Sequence, residues 1–217
     1  MSTEISKPVS CPRCGEAVET RMWPGVNAEV NPNLREQVLQ ETLFNWTCPA
    51  CGYVAQMAYP CLYHDKGRKF MIYLIPNGGK TELDAVDVDH AFPQIGYVQK
   101  RVVSSFAALK EKILVFEAGL DDRAVELVKL ALASVVEKKD GQKPQEGYFS
   151  FADEEKNRIG FVFFFPGKPE AVLKTTRLDA YRRSQEIVEE LHPDQKGFAA
   201  VDPELAQELL DTYKEED

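Results

Sequence analysis

The sequence predicts an α+β protein. An N-terminal four-cysteine zinc ribbon is extended by a β-hairpin and an αα corner, and a smaller β-hairpin-plus-helices unit follows. Three observations carry this reading. The pentapeptides CPRCG (11–15) and CPACG (48–52) are near-copies of one another. Alternating apolar residues prevail up to about residue 105, and helical spacing takes over at Phe106. The stretch EKKDGQKPQEG (137–147), dense in charge with Gly and Pro, reads as a linker between a domain at 9–136 and a unit at 148–217.

The elements follow in order. After the first pentapeptide, Val18, Thr20 and Met22 alternate with Glu19 and Arg21, the pattern of a strand. Asn31 is placed as an N-cap and Pro32 as the first residue of a short helix carrying Leu34, Val38 and Leu39. Residues 43–47 return extended into the second pentapeptide. Residues 52–76 read as a hairpin, with Tyr53, Ala55, Met57 and Tyr59 alternating in one arm and Phe70, Ile72 and Leu74 in the other. Asp65, Lys66 and Gly67 form its turn, with Gly67 free to adopt positive φ. Residues 77–94 are polar and irregular, and 95–105 form a further strand.

Phe106, Leu109, Ile113 and Phe116 mark a helix that Gly119 ends. Asp121 or Asp122 caps the next, whose apolar face is Ala124, Leu127, Val128, Ala131 and Val135. So short a connection makes an αα corner. Past the linker, 148–151 and 158–167 form a hairpin. Phe161, Phe163 and Phe165 line one face of its second arm, Val162 and Phe164 the other, which implies a strand covered on both sides. Residues 170–176 offer a third strand. Helices span 178–191 and 203–213, the latter capped by Asp202.

The cysteines carry the clearest chemistry. Two thiolates must approach one tetrahedral ion at about 2.3 Å, and a two-residue gap turns both sulfurs inward. Pro12 and Pro49 restrict the turn, while Gly15 and Gly52 permit the left-handed bend that lets backbone N–H groups face the sulfurs. Cys11, Cys14, Cys48 and Cys51 complete a four-thiolate shell that leaves no open position for water or substrate, so the site reads as structural. Zinc is the expected ion; a rubredoxin-like iron site has the same ligands, which keeps electron transfer as an alternative. Redox-active CxxC motifs stand at helix N-termini, whereas these enter strands.

The chain has 217 residues, a net charge of −9 and no basic segment: residues 1–60, 61–137 and 138–217 carry −2, −1 and −6. Nucleic acid is therefore not expected as a partner. The N-terminus lacks the apolar core of a signal peptide, no apolar run reaches membrane-spanning length, and five cysteines as two CxxC pairs plus one suit a reducing compartment. The cytoplasm is the expected location.

CPRCG and CPACG, followed by YHD (63–65) and LKEKILVFEAGLDDRAVELVK (109–129), resemble the bacterial CpXC-domain proteins over residues 9 to 135. The resemblance implies a metal-binding domain of bacterial cytoplasmic proteins with no assigned activity. It implies the ligand role for Cys11, Cys14, Cys48 and Cys51, and none for Cys61.

Other residues invite sharper readings. Cys61 fits a small buried hydrophobe better than a reactive thiol. His64 and Asp65 can make an acid/base pair, but they open the HDKG turn, where Asp accepts a backbone N–H. Asp121, Asp122 and Arg123 form a charged cluster that helix capping also explains. These five residues are the alternative enzymatic site. His90 lies among Asp84, Asp87 and Asp89 in a polar loop, and His192 at a helix end suits a C-terminal cation. No phosphate loop, nucleophile elbow, HExxH or dinucleotide fingerprint is present. The expected function is a zinc-organised module that binds a protein partner. Trp23, Phe44, Trp46 and Tyr53 are candidates for its surface, although core packing is the simpler role for them.

Overall fold

A computed structural model describes residues 1–76, 95–193 and 197–216. The polar segment 77–94, with His90, Asp84, Asp87 and Asp89, lies outside the described residues. The architecture is mixed α+β. Contacts divide the chain into two compact units, Met1–Lys110 and Glu111–Asp217.

In the first unit, strands β1 (Thr3–Ser10), β2 (Ala17–Asn27), β5 (Cys61–Asp65), β6 (Phe70–Leu74) and β7 (Gln99–Val103) form one sheet in the order β1-β2-β5-β6-β7. β1 pairs antiparallel with β2, and β5 with β6, while β2–β5 and β6–β7 are parallel. β1 was not expected: only Ile5 and Val9 of its eight residues are even partly buried, too few apolar positions to signal a strand. A second, two-stranded sheet joins β3 (Asn45–Thr47) to β4 (Val54–Gln56). The stretch expected as one hairpin over 52–76 is thus divided. Its first part pairs with β3, and only 61–65 pairs with β6. The alternation survives the break, because Tyr53, Ala55, Met57 and Tyr59 remain the more buried set.

Two local expectations differ in their chemistry. In the β5–β6 turn the positive φ falls on Lys69 (58°), not on Gly67. A Cβ on Gly67 would lie 2.7 Å from the carboxylate at the tip of the exposed Glu29 side chain, which has room to move aside. Helix α1 (Pro32–Leu39) has Asn31 at its N-cap and Pro at its start, but the Asn31 side chain makes no capping bond. The core of this unit is built from Val26, Leu34, Val38, Phe44, Tyr63, Phe70, Ile72 and Leu74. Phe44 stacks obliquely on Phe106 (4.4 Å between ring centres) and on Tyr59 (5.2 Å).

The border between the units falls within helix α2 (Phe106–Glu117). That helix ends as its sequence requires. Gly119 has φ 69°, Leu120 N–H reaches the Val115 carbonyl, and Gly119 N–H reaches that of Phe116, the paired bonds of a Schellman cap. Helix α3 (Asp122–Asp140) takes in residues 137–140 of the charged stretch and stops at Gly141 (φ 69°). It contacts helices α4 (Asp179–Leu191) and α5 (Pro203–Glu216) as well as strand β8 (Glu146–Asp153). Of its expected apolar face, Ala124, Leu127 and Val128 are buried but Ala131 and Val135 are exposed, while Val125 and Val136 are buried instead. β8, β9 (Arg158–Phe164) and β10 (Val172–Arg177) make an antiparallel sheet in the order β10-β9-β8. Asp202 caps α5 by accepting the Leu205 N–H at 3.1 Å.

Candidate metal centre

The two pentapeptides fold alike. In the first, Gly15 N–H donates to the Cys11 carbonyl and Cys11 N–H to that of Glu16, both at 2.9 Å. In the second, Gly52 N–H donates to the Cys48 carbonyl at 2.9 Å and Cys48 N–H to that of Tyr53 at 2.8 Å. Gly15 (φ 75°) and Gly52 (φ 69°) occupy the left-handed region that only glycine enters without strain. Each knuckle is the tip of an antiparallel pair, β1–β2 or β3–β4.

The tips meet. The four Sγ atoms of Cys11, Cys14, Cys48 and Cys51 all lie within 4.8 Å of one another. Cys11 and Cys51 sulfurs are 3.7 Å apart, and those of Cys14 and Cys48 are 3.8 Å apart. A regular tetrahedron with metal–sulfur bonds of about 2.3 Å has edges of about 3.8 Å, so the four cysteines are positioned to hold a metal ion. All five cysteines are free thiols.

Local electrostatics fit a cation. Burial opposes ionisation of Cys11, but the backbone N–H groups of Cys14 and Arg13 outweigh it and bring its thiol down to about 7. For Cys14 the Glu16 N–H favours the thiolate, yet burial and the neighbouring sulfurs prevail and push it up to about 12. The Tyr53 N–H likewise favours a Cys51 thiolate, and burial with its neighbours raises the thiol all the same. Four sulfurs this close resist collecting negative charge on their own; a divalent cation removes that repulsion.

The surrounding packing locks the hairpins together. Trp46 is buried against Cys11 and Cys48, with Val9, Val18, Tyr53, Ala55 and Met57 around them. The Trp46 indole N–H donates to Thr20 Oγ1 at 3.0 Å, tying β3 to β2, and the Thr20 hydroxyl donates to the Val18 carbonyl at 3.0 Å. Phe44 and Trp46 are thus core residues, while Trp23 and Tyr53 are half-buried.

The remaining candidates fall elsewhere. Cys61 is buried on β5, where desolvation pushes its thiol up to about 12. His64 and Asp65 are successive residues of β5, so their side chains point to opposite faces. Asp65 is buried and accepts both the Arg68 backbone N–H and its guanidinium at 2.9 Å. Burial lowers the His64 imidazole pKa, with the charges of Asp65 and Glu29 pulling it back. Asp121 is the N-cap of α3, accepting the Arg123 N–H and gripping its guanidinium, and Tyr181 Oη accepts the Asp121 N–H at 2.9 Å. His192 ends α4 in a left-handed conformation (φ 42°).

Asp122 opens onto a feature the sequence reading missed. Asp122 pairs with Lys112 at 3.2 Å, and Lys112 reaches Glu126 at 3.8 Å. Lys129 pairs with Glu126 and Glu111 at 2.9 Å, and Glu111 accepts the Phe149 N–H at 2.6 Å. All five side chains are buried, three carboxylates against two ammoniums. Burial raises the Glu126 pKa against the pull of both lysines. One signal was legible: Asp122, Glu126 and Lys129 are spaced i, i+4, i+7, a polar line along an otherwise apolar helix face.

No helix among the described residues is long and apolar enough to cross a membrane. No curated protein and no solved structure matches the chain. One family model, CpXC protein, matches residues 9–129, which include all four clustered cysteines and end on Lys129 of the buried ion network. That match spans more than half of the 217 residues, and with the paired Cys-Pro-x-Cys knuckles it shows that the chain belongs to the CpXC family.

Proposed function

We propose that Cys11, Cys14, Cys48 and Cys51 hold one zinc ion in a structural, ribbon-type site. In this reading the metal-bound hairpins organise a cytoplasmic module that binds a protein partner. The observation that carries the metal assignment is the pair of cross-hairpin sulfur distances, 3.7 and 3.8 Å, at the edge length of a tetrahedral thiolate shell. Bound there, zinc would supply a cross-link between two chain segments and neutralise the thiolates; four protein ligands leave no coordination position for a substrate. The residues offered as an enzymatic alternative are engaged in strand, turn and cap contacts: Asp65 with Arg68, Asp121 with Arg123, Asp122 with Lys112.

Elemental analysis of the purified chain tests the ion. One equivalent of zinc in a colourless protein is expected, and Cys48→Ser is expected to lose it. A coloured, reducible iron centre would replace this reading with electron transfer. Partner binding is tested separately by affinity capture with wild type and Cys48→Ser. A partner retained by the metal-free variant would detach the metal from recognition.

A further inference from the structure

The four cysteines are covered unevenly. Cys11 and Cys48 are buried with Trp46, and Cys51 packs against that cluster beside Val9, Val18 and Met57. Cys14 takes no part in the packing and is exposed, so one corner of the four-sulfur shell opens to water. Ligation of a cation requires all four cysteines as thiolates, whatever their affinity for protons without it. A thiolate open to solvent is the form of sulfur that oxidants attack.

The second observation is how the sulfurs are set against one another. Cys14 stands 3.8 Å from Cys48, and Cys11 stands 3.7 Å from Cys51. Each pair takes one sulfur from each hairpin, and each sets a less covered cysteine against a buried one. A disulfide bond is about 2.05 Å long, so closure asks each pair to approach by about 1.7 Å. Cross-hairpin links would hold the two tips together as a shared metal ion does. The fifth cysteine, Cys61, is fully buried on β5, apart from the cluster.

We propose that this centre is a thiol switch, set off by peroxide at Cys14, that exchanges its bound ion for the cross-hairpin disulfides Cys14–Cys48 and Cys11–Cys51. The inference rests on the metal reading above. The Cys14 thiolate attacks one oxygen of hydrogen peroxide; the O–O bond breaks, hydroxide leaves, and Cys14 carries a sulfenic acid. The Cys48 thiolate then attacks the Cys14 sulfur; the S–S bond forms, the S–O bond breaks, and a second hydroxide leaves. The two thiolates have lost two electrons, and the peroxide, with two protons from solvent, has become two waters. Two sulfurs no longer hold the ion, and a second peroxide closes Cys11 on Cys51 in the same way. Thiol reductants reverse both steps.

Treating the full, zinc-loaded chain with hydrogen peroxide tests this. Ion release is followed with a chromogenic chelator, and unreacted thiols are alkylated before digestion. Trypsin cuts after Arg13 and so parts Cys11 from Cys14, while Cys48 and Cys51 stay together in residues 36–66. With one peroxide per chain, fragment 14–21 is expected joined to 36–66 and fragment 1–13 is expected alkylated; tandem fragmentation then places the link at Cys48. Two peroxides per chain should release the ion in full, and dithiothreitol with zinc should restore the loaded form. Cys14→His keeps a metal ligand but removes the open thiolate, and is expected to slow release at least about tenfold. Cys51→His, the matched control, is expected to slow it less than about threefold. A Cys11–Cys14 link, equal slowing in both variants, or sulfinic and sulfonic acids in place of disulfides overturns the proposal. So does a zinc-loaded chain that resists peroxide, with the metal reading left intact. A purified chain that binds no zinc before oxidant is added overturns both.

Discussion

Cys14 and Cys51 are the second cysteines of their knuckles, and both hold their protons more tightly than a free thiol does. At pH 8 they are protonated without metal, while Cys11, with a value of about 7, is ionised. Metal uptake at that pH therefore releases at least about two protons, and apparent affinity climbs about a hundredfold per pH unit near neutrality. Competition titrations at pH 7 and 8 measure this; a slope below one proton would contradict the sulfur ligand set. Thr20 is the other residue on which the site depends. Thr20→Val leaves the buried Trp46 indole N–H without its acceptor and is expected to cost about 1–3 kcal/mol in denaturant unfolding. Thr20→Ser keeps the hydroxyl and should recover most of that loss. The knuckle itself was fully legible in the sequence, because CPxCG encodes its turn locally. The Thr20–Trp46 bond was not, because 26 residues separate the two partners.

At the scale of elements, helices α2 and α3 and strand β8 are joined by buried charge. Lys129 pairs with both Glu111 and Glu126, the latter shared with Lys112. Lys129→Met should therefore destabilise the chain by about 3–5 kcal/mol, the usual cost of stranding a buried carboxylate. Glu111→Leu in the same background should return part of it, because the stranded charge is gone. Glu126 adds a pH dependence. Its folded pKa is raised by burial, so the stability associated with it is fully present below the ordinary carboxylate range and declines as pH rises through the folded value. Urea unfolding between pH 4 and 8 should show that decline, and Glu126→Gln should flatten it. An unchanged pH profile in the variant would remove Glu126 from this role. Helix ends were readable in part: Gly119 and Asp121 cap where the sequence places them, whereas Gly141, inside the stretch read as a linker, ends α3 four residues further on than that reading implies. The charge network was only half readable. The i, i+4, i+7 line of α3 is visible in the sequence, but its partners Glu111 and Lys112 sit in another helix.

At the scale of the molecule, the first unit has its own core of Val26, Tyr63, Phe70, Ile72 and Leu74 besides the cysteine site. Metal removal should consequently loosen this unit rather than unfold it. Amide exchange after chelation is expected to accelerate in β1–β4 and the two knuckles, while β8–β10 and α4 keep their protection. Equal acceleration in both units would show that the metal supports the whole chain. The long reading of residues 52–76 as one hairpin failed at this scale. Alternation identifies a strand's buried face but carries no information about its neighbour, so β4 and β5 looked like one arm although they pair with different strands.

The sequence by itself determined the α+β class, the family, the two cysteine knuckles and most helix caps. All of these depend on residues a few positions apart, where turn chemistry and periodicity act directly. Tertiary structure decided what distance along the chain conceals. It brought Cys11 to Cys51 across 40 residues, seated Asp122 beside Lys112, and left one apolar face of β9 open. Such contacts arise from packing, which rewards complementary surfaces whatever their separation in sequence. No local pattern records which surface a side chain will finally meet.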